Sequence, residues 1–379
     1  MSLVRLKDIA KITMGNAPPG NSYNEDGNGV PLIAGAADFG AAQPEPKKFT
    51  TGGTRFSKED DIIMCIRATI GDLNWSDKEY CLGRGVAGIS VDEKLADKNY
   101  VYFALKERHE YLNSLGTGST FRQIRKEVIE NCEIILPTLK KQKEIANIFR
   151  DYYSLRGKRI SAKMQLEETV KATFVDLFGD PVKNTREWQK KKIGEVSESR
   201  LGKMLDKKKQ TGNNSKKYLR NANVQWGRFD LSNLYEMDFD EKDQVEFELR
   251  KGDLLVCEGG EVGRCAVWNN NIEDCYFQKA LHRVRVDLNL LEPMYLRYLL
   301  EFYASFGGFD GIVTQATIAH LTGVKLKALE IPIPPIELQR KFSEYVESIT
   351  HILEMQKKSF EDIAYLEGSL MAKFLKGES

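Results

Sequence analysis

Six cysteines and four histidines are the residues of this 379-residue chain best suited to metal, redox or acid–base chemistry. The nearest cysteines, Cys257, Cys265 and Cys275, are too widely spaced for a zinc ribbon, and no Cys-x-x-Cys pair occurs. With no secretory signal before Val4, they read as reduced, buried thiols of a cytoplasmic protein. His109, His282, His320 and His351 fall in unrelated contexts. The phosphate-cradling Gly-x-x-x-x-Gly-Lys-Ser/Thr loop is absent, and so is a strand followed by Gly-x-Gly-x-x-Gly. Neither a Gly-x-Ser-x-Gly elbow nor a His-Glu-x-x-His helix is present. Asp180-Pro181 matches the start of the Asp-Pro-Pro-Tyr loop of base methyltransferases. It lacks the positions that follow and a glycine-rich strand before it, so it reads as a helix stop. The expectation is a chain with no catalytic residue, no metal site and no cofactor of its own.

What remains for function is polar and cationic side chains in loops, and two long helices position those loops. Pro137 opens a segment that runs to Phe178-Gly179-Asp180-Pro181, with a proline start and a Gly-Asp-Pro stop. The same opening recurs 197 positions later, pairing Pro137 with Pro334 and Gln142 with Gln339. One unit of about half the chain is therefore used twice, each copy ending in a long helix. Upstream, Leu6, Ile9 and Gly15 match Ile193, Val196 and Gly202. Asp61 to Gly71 matches Asp253 to Gly263, in each case an acidic residue, an apolar run and a glycine-ended turn, the pattern of a buried strand. Further strands are predicted at Val86 to Val91 and Leu281 to Val286, and helices at Lys98 to Leu112 and Met294 to Phe306. Final strands at Glu133 and Glu330 lead into the arms.

The second arm carries Phe342, Val346, Ile349, Leu353, Phe360, Ile363, Leu370 and Phe374 at alternating steps of four and three, broken at Gln356 and Glu367. In the first arm Ile145, Phe149, Tyr152, Val170 and Leu177 keep the seam, while Arg156, Arg159 and Lys163 interrupt it. About 40 helical residues extend about 60 Å, further than one such globule can cover, so the arms are expected to pack on each other. The fold class is α/β (mixed α+β): two pseudo-repeated globules separated by two long helices that form a coiled coil. The expected divisions are 1–137, 138–180, 181–334 and 335–379. The composition, 41% hydrophobic and 29% charged, suits two globular cores, and no window approaches a membrane span. The net charge of +1 conceals a basic stretch, with 14 Lys/Arg against 4 Asp/Glu from Lys183 to Arg228.

The central joint from Phe174 to Trp188, the Pro-x4-Gln helix starts and the Gly116-Thr-Gly-Ser-Thr-Phe-Arg-Gln-Ile124 turn resemble the specificity subunit of type I restriction–modification systems. The second turn, Gly311 to Ile318, lacks the Gly-Ser pair. The resemblance spans the chain and implies that each globule is a target-recognition domain for one half of a bipartite double-stranded DNA site. It implies that the helices pack as an antiparallel coiled coil, set the spacing of the halves and recruit two modification (methyltransferase) subunits, which restriction subunits join. S-adenosylmethionine and ATP would belong to those partners. Cations favour guanine and phosphate, and Asn and Gln favour adenine. The candidate contacts on this reading are Arg67, Arg84, Phe121, Arg122 and Arg125 in the first domain. In the second they are Lys203, Arg220, Asn221, Asn223, Gln225 and Gln315, with Trp226 in support. For each the alternative is a solvated surface side chain, and Lys207-Lys208-Lys209 reads equally as a phosphate clamp or a soluble loop. Two other functions remain open on the residues alone: a coiled-coil adaptor whose globules bind protein, and a divergent methyltransferase or nuclease.

Overall fold

A computed structural model describes residues 2–118, 122–206, 210–312 and 320–376. The chain forms two compact units, Met1–Ile160 with Lys357–Ser379, and Ser161–Gln356. Each unit holds one globule and a portion of both arms, so the arms divide midway rather than at their roots.

In the first unit the apolar run after Asp61 becomes the strand Ile62–Cys65, with all four side chains buried. It lies between Val86–Val91 and Leu73–Trp75, and Ala10–Met14 completes a four-stranded antiparallel sheet. A smaller sheet pairs Val30–Ile33 in parallel with Cys81–Leu82, and Ser2–Arg5 pairs with Glu133–Leu136 at the root of the arm. The second unit repeats this plan. Ser197–Leu201, Leu281–Val286, Leu254–Cys257 and Cys265–Val267 form the larger sheet in the same order. Ser215–Leu219 runs parallel to Cys275–Phe277, and Lys190–Lys192 pairs with Glu330–Pro332. The acidic residue that opens each matched run is buried and fixes its own turn. Lys58 N–H donates to Asp61 (2.8 Å), and Arg250 N–H to Asp253 (2.7 Å). Asp253 also accepts two bonds from Arg285 (2.7 and 2.8 Å).

The expected helix from Lys98 to Leu112 is two helices, Lys98–Glu107 and His109–Ser114, divided at Arg108. Its counterpart is Pro293–Phe306. All six cysteines are buried and unpaired, and burial pushes the Cys65 thiol up to about 12. Among the described residues, no group of three or more His, Cys, Asp or Glu side chains could hold a metal, and no helix is long and apolar enough to cross a membrane.

The first arm is one helix, Leu139–Phe178. The second runs Ile336–Met371 and passes into a short π-helical turn, Ala372–Lys376. At the root of each arm lies a fully buried glutamine. Asp97 N–H donates to Gln142 Oε1 (2.8 Å), and Gln142 Nε2 donates to the Pro137 carbonyl (2.8 Å). In the second unit Glu292 N–H donates to Gln339 Oε1 (2.9 Å). There Gln339 Nε2 donates to the carbonyls of Pro334 (2.8 Å) and Leu290 (3.1 Å). Each glutamine thus joins its arm to the start of the domain helix. A tyrosine joins that helix to the last strand: the Tyr100 hydroxyl donates to the Ile135 carbonyl (2.6 Å), and Tyr295 to Pro332 (2.9 Å).

The arms run antiparallel within each unit. In the second, Phe174 and Phe178 meet Phe342 with ring centroids 5.4 and 5.5 Å apart. In the first, Tyr152 and Tyr153 each donate a 2.6 Å hydrogen bond to Glu367, and Arg156 lies 3.3 Å from the same carboxylate. Arg159 donates to Ser359. Several polar residues that interrupt the seam of one arm therefore meet polar residues of the other, the arrangement that specifies register in coiled coils.

Gln339→Leu leaves one N–H and two carbonyls unpartnered. It is expected to lower unfolding free energy by about 1–3 kcal/mol in urea titration. Burial pushes Glu367 up, but the hydroxyls of Tyr152 and Tyr153 and the Arg156 guanidinium outweigh it and hold the carboxyl below the usual range. Stability from this cluster is therefore present above the unfolded value of about 4.3 and is lost as pH falls through the lower folded value. Glu367→Gln is expected to flatten the fall in thermal unfolding midpoint below about pH 4.3; an unchanged acid limb refutes the assignment.

Candidate nucleic-acid interface

One edge of each globule is assembled from loops, and five corresponding backbone hydrogen bonds build it in both. In the first, Gly15 N–H donates to the Val86 carbonyl (3.0 Å), Asn16 to Leu82 (3.0 Å) and Gly83 to Ile33 (2.8 Å). Val86 donates to Gly83 (3.1 Å), and Ile66 to Gly85 (2.9 Å). In the second, Gly202 donates to Leu281 (3.0 Å), Lys203 to Phe277 (3.1 Å) and Gln278 to Leu219 (3.1 Å). Leu281 donates to Gln278 (3.1 Å), and Glu258 to Ala280 (2.9 Å). A sixth pair joins the segment after each polar turn: Ile124 to Ile66 (3.0 Å) and Leu321 to Glu258 (2.9 Å). Glycine is required where the loops cross. A Cβ on Gly15 would lie 2.1 Å from the Gly83 carbonyl, and one on Gly202 2.4 Å from that of Gln278.

This lattice brings four of the first domain's candidates to one edge. Arg84 is exposed at the tip between Gly83 and Gly85. Arg67 is half-buried and bridges Gln123 through the backbone, and Ala68 N–H donates to the Arg122 carbonyl (3.3 Å). Arg125 is exposed and directly precedes the helix Lys126–Glu130. The Arg122 guanidinium is engaged: it donates to the carbonyls of Asn113 (2.6 Å), Ser114 (3.4 Å) and Gly116 (3.4 Å), where the helix His109–Ser114 ends. A cation there satisfies terminal carbonyls and the helix dipole. Phe121, Gln315 and Lys207-Lys208-Lys209 lie outside the described residues.

In the second domain the described candidates bond within the domain itself. Lys203 Nζ donates to the Asp238 carbonyl (2.6 Å), pairs with Asp243 and lies over the Phe239 ring. The Arg220 guanidinium stacks 3.5 Å from the Tyr235 ring centre and donates to the Asn233 carbonyl (3.0 Å). Asn221 donates to the Gly259 carbonyl (2.9 Å) and accepts from Arg264. Asn223 is buried, with its amide donating to the carbonyls of Asp230 (2.9 Å) and Asn233 (3.1 Å). Gln225 donates to Ala222 (2.9 Å), and Trp226 packs on the core. Asp238 accepts from the Thr211 and Gly212 N–H groups, and the Thr211 bond leads in holding its carboxyl below the usual range.

The residue that takes Arg84's place in this lattice is Lys279, between Gln278 and Ala280, which the sequence reading did not single out. The signal was present: matching Val86 to Val91 with Leu281 to Val286 and extending upstream by two residues aligns Arg84 with Lys279.

A family model described as the type I restriction modification DNA specificity domain matches residues 1–165 and 185–363. A Methanocaldococcus jannaschii protein named as the type I restriction enzyme MjaX specificity subunit is 35% identical over 161 residues, 42% of this chain but 38% of that protein. The MjaVIII specificity subunit of the same organism is 22% identical over 84% of this chain and 79% of its own length. The fold is similar to a solved type I restriction–modification S subunit from M. genitalium, with TM-score 0.60 and 15% identity, over 98% of this chain and 95% of that one. With both repeats matched by the family model, the chain belongs to the type I restriction modification DNA specificity domain family.

Proposed function

We propose that this chain is the DNA-reading subunit of a cytoplasmic type I restriction–modification complex, with each globule recognising one half of a bipartite, asymmetric site. The observation that carries this reading is the duplicated loop edge: the backbone hydrogen bonds correspond in both globules, while most of the side chains mounted on them differ. A shared frame with divergent side chains suits two domains that dock on DNA alike and read unlike bases. Base contacts in the first half come from Arg67, supported by Arg125, and Arg84 contacts the DNA from the same edge. The Arg122 guanidinium holds the polar turn in place. In the second half Lys203, Arg220, Asn221 and Asn223 shape the loops that approach the bases.

The arms set the gap between half-sites and recruit two modification subunits, with restriction subunits completing the complex. The chain itself is not catalytic; S-adenosylmethionine and ATP are bound by those partners. What supports this is the family membership, together with a sequence that carries neither a phosphate loop nor a glycine-rich cofactor strand.

The test is single-molecule methylation mapping of DNA treated with the complex assembled from this chain and its modification subunits. One bipartite motif that disappears when this chain is omitted is the expected result. Methylation without it, or S-adenosylmethionine binding by this chain alone, counts against the reading. Arg67→Ala is expected to relax one half of the motif and leave the other intact. Inserting four residues near Ser161 adds about 6 Å of helix at 1.5 Å per residue. With duplex DNA rising about 3.4 Å per base pair, the gap is expected to grow by one or two base pairs with both half-sequences unchanged. A gap indifferent to arm length refutes the ruler.

A further inference from the structure

Arg84 and Lys279 stand at the same point of the duplicated frame. In each globule the turn is pinned from both sides. Gly83 N–H and Gln278 N–H reach the ends of the parallel strands at Ile33 and Leu219. The carbonyls of Gly85 and Ala280 accept from Ile66 and Glu258 (2.9 Å each). Both cations are exposed, and neither side chain has a hydrogen-bond or ion-pair partner among the described residues. This sets them apart from Arg122, Lys203 and Arg220, whose charged groups bond within their own domain.

The backbone beside Lys279 is held in a costly conformation. Ala280 has φ 118°, a region that residues with a Cβ rarely adopt. Such strain persists where surrounding bonds over-determine it, and it concentrates at functional turns. Here the Ala280 carbonyl is held by Glu258, and the neighbouring Lys279 N–H donates to the Lys203 carbonyl (2.8 Å). The result is a rigid mount for one lysine.

The pattern of replacement between the repeats identifies what that cation touches. The bonds keep apolar residues or glycine at the inward positions, as at Ile33 and Leu219 or Leu82 and Phe277, but at the outward positions on or beside them character is not kept: Asn16 corresponds to Lys203, Ala34 to Arg220, Arg67 to Gly259 and Arg125 to Thr322. Among these loop-edge positions, Arg84 and Lys279 are the pair that is cationic in both copies. A contact shared by two domains that read different bases suits the part of DNA that does not vary with sequence, and phosphate contacts are of that kind. Lysine serves phosphate as a point charge, without the planar fork that arginine offers a base edge.

We infer that Lys279 contacts a DNA phosphate and that Arg84 makes the equivalent contact in the other half-site, the pinned turn being the docking point common to both domains. This rests on the DNA-reading function proposed above and gives Arg84 a backbone contact rather than a base contact.

The experiment measures binding of a fluorescent duplex carrying the mapped site to the assembled modification complex, as a function of salt. For Lys279→Ala the slope of log K against log salt is expected to become shallower by about 0.9, and by about 1.8 when combined with Arg84→Ala. Affinity should fall alike for the site and for base-substituted duplexes, with the methylation motif unchanged. Lys279→Arg should restore the wild-type slope. Because both side chains are exposed and have no partner among the described residues, the thermal midpoint should not move. A wild-type slope in the alanine variants overturns the inference while leaving the DNA-reading function standing. A changed motif also overturns it, by making the residue a base contact. If the wild-type complex shows no salt-sensitive binding to any duplex, both the function and this inference fall.

Discussion

A buried side-chain amide stands at the root of each arm, and the arrangement of each unit depends on it. Gln142 and Gln339 are at most 1% exposed, where an unsatisfied amide would cost several times what a net hydrogen bond contributes. Glutamine suits the place because one planar group offers an acceptor to the N–H that begins the domain helix and donors to the carbonyls before the arm. The proline five residues earlier supplies one of those carbonyls. A hydrocarbon of equal volume would fill the space, but it would leave the helix start and the arm root without a common partner. Arm direction is thereby fixed by hydrogen-bond geometry, which is directional, as well as by packing, which is less so.

Beyond the root, packing and polar pairing divide the work. Phe174, Phe178 and Phe342 build the aromatic contact of the second unit together with Tyr295, whereas the first uses Phe149 with Phe103 and Tyr153. The Glu367 cluster is the polar counterpart. A carboxylate among two tyrosines and an arginine is tolerable because each oxygen is bonded, and it is selective because a shift of the arms would leave the charge half-buried and unpaired.

The two globules show how a duplicated domain can diverge without losing its frame. Backbone hydrogen bonds carry the frame, so side chains can change freely unless they fill a crossing point. At the crossings, space rather than chemistry limits the choice, as at Gly15 and Gly202. Elsewhere the second copy has turned loop side chains inward. Asn223 is buried and stitches a loop to itself through Asp230 and Asn233.

The sequence by itself determined the duplication, both arms, the buried strands at Ile62 and Leu254, and the Pro-x4-Gln roots. These follow from short-range physics: helix punctuation, apolar periodicity and turn composition act over a few residues and leave a readable trace. The polar breaks in both seams were also legible, but not the pairs they form, because Glu367 and Tyr152 are far apart in the chain. For the candidate interface the limit was sharper. Lys203, Arg220, Asn221 and Asn223 have the residue types of nucleic-acid contacts, and nothing local distinguishes an amide that meets a base from one that meets a carbonyl. Only the tertiary structure shows which partners they meet within the domain, bringing Asp243, Asn233 and Arg264 from 10 to 43 positions away. The alignment of Arg84 with Lys279 was within reach of the sequence, but the pinning of both turns, which carbonyls meet which N–H groups, was set by the tertiary structure. Backbone pairing between distant segments is indifferent to side-chain identity, so it writes almost nothing into the sequence.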